Sequence, residues 1–216
     1  MRVFCKTHQI EASELVVLSG IIDRAKTALQ YAIWQDGTVP PLGDSPVYEN
    51  VARSINTSKL FTESGFLVVK NDDLYLSLIC GSRSWIHKQC DDSSITLRYK
   101  NRNILIDAGS YSHDETDPYR LALAGQRGHC GIFLEKHDGV LREAFMKNCS
   151  PYDARISDFV EDASGARAVC HYTLQGGACR VERRVDIFWP DEVLIRDRVS
   201  SQGEDSVAVR QRFIFD

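Results

Sequence analysis

Four side chains suited to proton transfer or metal binding flank two short apolar runs near the middle of the chain. His87, Gln89 and Asp91 come just before the first run, and Asp107 comes just after the second. If the two runs form an antiparallel hairpin, the start of one strand lies beside the end of the other, about 4.8 Å away. The pattern therefore predicts that an imidazole, an amide and two carboxylates share one edge of one sheet.

The two runs are the predicted strands 94–99 and 103–106, joined by the polar residues 100–102. From residue 59 onward, apolar and polar residues tend to alternate, which is typical of strands. Further strands are predicted at 65–70, 74–79, 131–135, 166–174, 179–189, 193–199 and 207–215. Turn residues separate the runs, so the sequence predicts a mainly β chain folded as an antiparallel β-sandwich.

One long stretch has helical periodicity. In residues 13–34 the apolar side chains recur every three or four positions, Ser13 suits an N-cap, and Gly37 suits the turn after the helix. Residues 47–56 are predicted to form a second, short helix. A lone amphipathic helix leaves its apolar stripe uncovered, and the chain ends within a strand pattern. We therefore expect a fragment, or a protein that needs a partner. Residues 1–56 are expected to be a terminal helical segment, and 57–216 a truncated sandwich that self-associates.

Composition excludes several classes of protein. The chain has 216 residues, 43% hydrophobic and 26% charged, with a net charge of −4. Lys and Arg are scattered, which argues against nucleic-acid binding, and no apolar run is long enough to span a membrane. The seven cysteines include no CxxC pair, so we expect reduced thiols rather than a disulfide framework. Together with the absence of a visible secretory signal, this favours the cytoplasm.

Four segments occur in the order typical of one enzyme family. AIWQDGTVPPLGDS, ESGFLVVKNDDLYLSLICG, the stretch from His87 to Tyr111 and DPYRLALAGQRGHCGIFLE resemble the heparinase II/III family of polysaccharide lyases. The resemblance implies a helical (α/α) toroid followed by an antiparallel β-sandwich. It implies β-elimination on uronate-containing glycans, with an acidic polysaccharide or oligosaccharide as the partner. It also implies a periplasmic location for the full-length protein.

The resemblance further implies roles for individual residues. His87 stands where the family has a catalytic histidine of the sandwich. Asp107 and His129 match ligands of a structural zinc, and Gln89 stands where a third ligand, a histidine, would be. Cys130 replaces an asparagine of the family pattern. The proton-abstracting toroid residues have no counterpart here, so we expect the chain alone to be inactive.

Each of these residues also has a structural interpretation. His87 could cap a strand end, Asp107 could bond its own backbone in a turn, and His129 could be an ordinary sheet-edge residue. An amide oxygen is a poorer zinc ligand than an imidazole, so Gln89 would bind zinc weakly. Tyr111, Tyr119 and Arg120 are candidates for substrate contact, by stacking and by an arginine–carboxylate fork; for Arg120 the alternative is a solvated salt bridge.

Two functions remain open at this stage. The first is a polysaccharide lyase of the heparinase II/III type, favoured by His87 and Asp107. The second is a non-catalytic carbohydrate-binding or assembly module, favoured by the departures at Gln89 and Cys130. A sandwich without any sugar role is also compatible, because a fold alone does not determine a function.

Overall fold

The protein is a two-layer antiparallel sandwich with a helix at its N-terminal side. The computed structural model describes residues 12–43, 45–46, 48–49, 51–81, 89–112, 114, 116–134, 153–174, 179–201 and 209–215. The predicted mainly β architecture is confirmed. No helix in this part of the chain combines the length and apolarity needed to cross a bilayer.

The first sheet has five strands in sequential order. They are β1 (Lys59–Phe61), β2 (Phe66–Lys70), β3 (Leu74–Ile79), β4 (Ser94–Tyr99) and β5 (Arg102–Leu105), each antiparallel to the next. The β4–β5 turn consists of Lys100 and Asn101, both with positive φ (47° and 62°). Positive φ at both central residues is typical of the type I′ turn, whose twist matches that of the strands. The predicted hairpin is therefore present.

The second sheet has four strands, also in sequential order. They are β7 (Ala154–Asp162), β8 (Gly165–Leu174), β9 (Cys179–Phe188) and β10 (Glu192–Ser201). A separate pair joins β6 (Ile132–Leu134) to β11 (Val209–Gln211). Strand β7 was not predicted. A register shift between Ile156 and Asp158 interrupts the alternation of apolar and polar residues, so the sequence pattern does not indicate this strand.

The apolar core lies between the two sheets. Alternate residues of both sheets form one buried cluster, and it contains the following side chains: Leu67, Val69, Leu74, Leu76, Leu78, Ile95, Cys170, Tyr172, Cys179, Val181, Val185 and Ile187. The cysteines that the structure describes carry free thiols. We call three polar links across this core the inter-sheet joint: Arg183 to Ser93 and Cys130, Tyr172 to Ile132, and Cys80 to His171.

Helix α1 (Ala12–Ala32) confirms the long predicted helix. Several of its large apolar side chains are exposed, namely Val16, Val17, Leu18, Ile21, Ile22 and Leu29. Self-association through this surface stays a prediction.

The C-terminal end of α1 is fastened to the outer face of the first sheet. The buried Lys70 ammonium donates to the carbonyl oxygens of Tyr31 (3.2 Å) and Ile33 (2.5 Å), and the Tyr75 hydroxyl donates to that of Ala32 (2.6 Å). These carbonyls lie at the last turn of a helix, where they lack intrahelical donors. We call this set of contacts the helix joint.

The second predicted helix is wrong for the described residues of 47–56. The backbone there forms hydrogen bonds with other segments. The Val39 amide donates to the Tyr48 carbonyl, the Val51 amide to the Gly37 carbonyl, and the Ile55 amide to the Gln30 carbonyl. These bonds replace the i to i−4 pattern of a helix. A short helix that was not predicted, α2 (Pro118–Ala124), is capped by Asp117, whose side chain accepts from the Tyr119 amide at 2.8 Å. Asp followed by Pro is a recognisable helix start.

Candidate functional site

The candidate site is built beside the first sheet, where the end of β5 meets the segment after α2. Strand β5 ends at Leu105 and leads into Asp107 and Gly109, while the segment after α2 carries His129. The Ala108 amide donates to the Gly128 carbonyl at 3.0 Å, which ties the two segments together.

Asp107 and His129 form a buried pair. Nδ1 of His129 lies 2.7 Å from Oδ2 of Asp107, and the two side chains are almost fully enclosed. A carboxylate accepts hydrogen bonds and does not donate them, so the ring proton lies on Nδ1. The pair therefore has a carboxylate-oriented imidazole, the arrangement that fixes a histidine's tautomer.

Two further groups donate hydrogen bonds to the Asp107 carboxylate. Oδ1 accepts from the Gly109 amide at 3.0 Å, and Oδ2 also accepts from the Ser94 hydroxyl at 3.3 Å. Ser94 in turn accepts from the Cys130 amide at 3.1 Å. Ser94 was not singled out from the sequence, since a serine at the start of a strand gives no signal of its own.

The turn at Gly109 packs closely against the loop that contains Pro41 and Ser45. The φ of Gly109 is +64°, and a Cβ atom there would lie 2.7 Å from Cβ of Pro41. The Ser110 amide also donates to the Ser45 carbonyl at 3.3 Å. Any larger residue would push the loop away from the edge, so glycine is required here.

The predicted members of the edge have different outcomes. Asp107 and His129 are brought together. Gln89 and Asp91 are buried at the entry to β4, where the Cys90 amide donates to the Ala124 carbonyl at 3.0 Å and Asp91 lies close to Gly43. His87 lies outside the described residues, so its assignment as the catalytic histidine stays a prediction.

Nδ1 of His129 and Oδ2 of Asp107 do not have the spacing of two zinc ligands. Zinc bonds of about 2.1 Å in a tetrahedral site keep two donor atoms roughly 3.4 Å apart, further than the 2.7 Å between His129 and Asp107. Both oxygens of Asp107 already accept protein hydrogen bonds. Within the described residues, no three His, Cys, Asp or Glu side chains are grouped to hold a metal ion. Zinc held by Asp107, His129 and Gln89 stays a prediction.

The Cys130 side chain lies in the apolar core, on the opposite side of its segment from the His129 side chain. Its thiol donates to the Ile106 carbonyl and accepts from the Ile214 amide, both at 3.1 Å. Burial raises the pKa of the Cys130 thiol, with the Asp107 charge adding to the effect. The thiol therefore stays protonated and links the end of β5 to the C-terminal segment.

The three predicted substrate-contact residues lie together, in the segment after Asp107 and at the start of α2. The rings of Tyr111 and Tyr119 are 56% and 70% exposed, with centroids 6.4 Å apart in an edge-to-face arrangement. Nη1 of Arg120 donates to the Ser112 carbonyl. Exposed aromatic rings and a guanidinium can stack on sugar faces and bind carboxylate or sulfate groups. Sugar contact by these residues stays a prediction.

Comparisons with known proteins agree with this architecture. The profile of the Heparinase II/III-like, C-terminal family matches residues 55–214. Among solved structures, the chain is similar to a heparinase III with methylated lysines, at 16% identity and a TM-score of 0.69, covering 93% of this chain and 34% of that one. It is also similar to the heparan sulfate lyase HepC from Pedobacter heparinus, at 19% identity and a TM-score of 0.66, covering 94% and 35%. The chain thus spans about a third of the length of these structures. No curated protein matches it.

Proposed function

Because the chain belongs to the Heparinase II/III-like, C-terminal family, we propose that it is the sandwich part of a polysaccharide lyase acting on uronate-containing glycans. The observation that carries the proposal is the buried Asp107–His129 pair, together with the exposed rings of Tyr111 and Tyr119 and the partly buried Arg120. The buried hydrogen bonds keep the Asp107–His129 pair in a fixed geometry. Exposed aromatic rings and a nearby guanidinium can together bind an acidic sugar.

The proposed reaction is the β-elimination expected for this family. In β-elimination, a base removes the C5 proton of the uronate, the carboxylate is stabilised as charge develops, and an acid protonates the leaving oxygen. We assign His87 to hydrogen bonding with the substrate carboxylate or the leaving group. His129 is 1% exposed, so it serves as a support of the edge rather than as a group that touches the substrate. The proton-abstracting base is expected outside this chain.

The direct test is an assay for unsaturated uronate, followed by its ultraviolet absorbance, with the full-length protein and heparan sulfate or another uronate-containing glycan. His87→Ala should lower kcat by about 10²–10⁴-fold with a smaller change in KM. His113→Ala is the matched control and should retain activity. Full activity of the His87 variant would contradict the assigned role, and turnover by the 216-residue chain alone would contradict the assignment of the base.

A second candidate is a carbohydrate-binding module without turnover. The burial of the Cys130 thiol in the core and the amide at Gln89 favour it, because both depart from the family pattern. Titration of the 216-residue chain with an acidic oligosaccharide distinguishes the two, in combination with the full-length assay. Under both functions Tyr119→Ala should weaken binding, whereas Tyr48→Ala, which removes another exposed tyrosine, should not. Binding without turnover in the full-length protein would establish the second function.

A further inference from the structure

One fully buried charge lies within the apolar face of the second sheet. Along β9 the inward positions are Cys179, Val181, Arg183, Val185 and Ile187, and all five are buried. Arg183 is 0% exposed, and its cross-strand partner in the β9–β10 register is Asp197. An arginine is rarely found at such a position unless its hydrogen bonds are satisfied.

The guanidinium of Arg183 satisfies its hydrogen bonds in two directions. Nε and Nη2 donate to the two carboxylate oxygens of Asp197, each at 2.8 Å. Nη1 points across the core and donates to the carbonyl oxygens of Ser93 (2.6 Å) and Cys130 (2.7 Å). The ring of Phe213 covers the group, with its centroid 5.9 Å away.

The two carbonyls belong to the segments that hold the buried pair in place. Ser93 precedes Ser94, which donates to Asp107, and Cys130 follows His129. Ser93 has a φ of 65°, a backbone conformation that costs energy for a non-glycine residue. A donor that holds its carbonyl in place therefore helps to maintain that conformation.

We propose that Arg183 is a positioning residue for the Asp107–His129 pair. Through one nitrogen it fixes the separation between the start of β4 and the segment that carries His129. Asp197 holds the planar guanidinium so that Nη1 is aimed at both carbonyls. The consequence for turnover rests on the proposed function; the consequence for the geometry of His129 does not.

The geometry is tested by proton NMR of the 216-residue chain. The His129 Nδ1 proton, hydrogen-bonded to Asp107, should give a low-field resonance, assigned by its loss in His129→Gln. Arg183→Lys keeps a positive charge but cannot bind Asp197 and both carbonyls with the same planar geometry. In samples that circular dichroism shows to be folded, this resonance should shift or disappear.

Arg184→Met is the matched control. Arg184 is the next residue on β9, faces the opposite side of the sheet, and makes a comparable two-nitrogen contact with Asp186. Its variant should leave the His129 resonance unchanged. An unchanged resonance in folded Arg183→Lys would overturn the proposal.

Asp197→Asn provides a second variant in case Arg183→Lys does not fold. It leaves the hydrogen bonds from Arg183 to the two carbonyls available, so the chain should fold. The direction of Nη1 should change, and the His129 resonance should shift. An unchanged resonance in this folded variant would also reject positioning by the pair. If both variants were unfolded, Arg183 would be a folding residue and the proposal would be rejected.

An activity measurement separates this inference from the proposed function. In the full-length protein, Arg183→Lys should lower kcat by up to about 100-fold with little change in KM, as expected when a supported group is misplaced. A kcat equal to that of the unsubstituted protein, with an altered His129 resonance, would reject the catalytic consequence. If the unsubstituted full-length protein made no unsaturated uronate, the proposed function would fail while the NMR result still decided the geometry.

Discussion

The inter-sheet joint and the helix joint both place a buried cation against backbone carbonyls, but they treat the charge differently. Burial acts to lower the pKa of Arg183, but its bonds and charge attraction to the Asp197 carboxylate act in the opposite direction, and the pKa is raised. Lys70 donates to two helix-end carbonyls and lies 5.7 Å from the Tyr75 ring centroid, and burial lowers its pKa to about 8.

The difference shows what a helix end can and cannot provide. The partial negative charge at the C-terminus of α1 attracts a cation, but it is smaller than a full carboxylate charge. An arginine with a carboxylate therefore stays charged at every accessible pH. A lysine on a helix end changes its protonation within the range where proteins remain folded, so the two joints should respond differently to substitution and to pH.

The largest expected effect is the loss of the buried arginine. Arg183→Met should lower the free energy of unfolding by about 3–5 kcal/mol, because it removes the guanidinium that donates to Asp197 and to the buried carbonyls of Ser93 and Cys130. Urea denaturation measures the loss. Arg184→Met, on the exposed side, should cost no more than about 1 kcal/mol.

A double substitution sharpens this result. Adding Asp197→Leu to Arg183→Met removes the carboxylate left behind and should restore part of the stability, since apolar replacements of buried ion pairs are often well tolerated. A double variant less stable than the single one would show that Asp197 acts independently of Arg183.

The helix joint should give a smaller and more local effect. Lys70→Met leaves the carbonyls of Tyr31 and Ile33 without their side-chain donor and should cost about 2–3 kcal/mol. Hydrogen exchange should show lost protection in α1, with the sandwich amides unchanged. Tyr75→Phe, which removes one hydroxyl donor, should cost about 1 kcal/mol. Uniform loss of protection across both sheets would contradict a separate helix joint.

Lys70 should also make stability depend on pH under alkaline conditions. Its folded pKa, about 8, lies below the ordinary value of 10.5. Between these values the unfolded chain binds the proton and the folded chain releases it, so the free energy of unfolding rises with pH. The contribution is complete above 10.5 and is lost as the pH falls through about 8. Urea titrations at pH 8, 9 and 10 should show this rise relative to Lys70→Met, and parallel curves would contradict it.

The smallest effect concerns His171, whose carbonyl accepts from the Cys80 thiol in the inter-sheet joint. Burial, followed by Arg180 and Arg155, lowers the pKa of His171, and Asp153, 3.6 Å from its Nε2, opposes the shift. The stabilising contribution is present above the ordinary value of 6.5 and is lost as the pH falls through the lower, folded value. His171→Gln should flatten stability below pH 6.5. An equally steep acid dependence in this variant would assign it to other groups.

The sequence predicted what depends on local pattern. The strands Leu74–Ile79 and Ser94–Tyr99 begin and end as expected, because alternation and turn residues act over a few positions. The placement of Asp107 at the end of a hairpin strand followed from the turn at Lys100 and Asn101. His129 was assigned to the same site through a family resemblance.

The rest depends on contacts between distant segments. Arg183 and Asp197 each interrupt an apolar alternation, but their pairing requires the β9–β10 register. The two carbonyls to which Arg183 donates lie 53 and 90 residues away. The helix predicted at 47–56 failed because its backbone donors and acceptors are used by residues 30–39. Neither effect can be detected from the composition of a short window.

The strand order has a consequence for the folding pathway. Both sheets are meanders in which each strand pairs with its neighbour in sequence, so their loops close at low entropic cost. The inter-sheet joint instead connects residues 40 to 91 positions apart. We expect each meander to form before the two dock, with desolvation of Arg183 late on the pathway. Arg183→Met should therefore accelerate unfolding while leaving the refolding rate nearly unchanged, a result that stopped-flow measurements in urea would reveal.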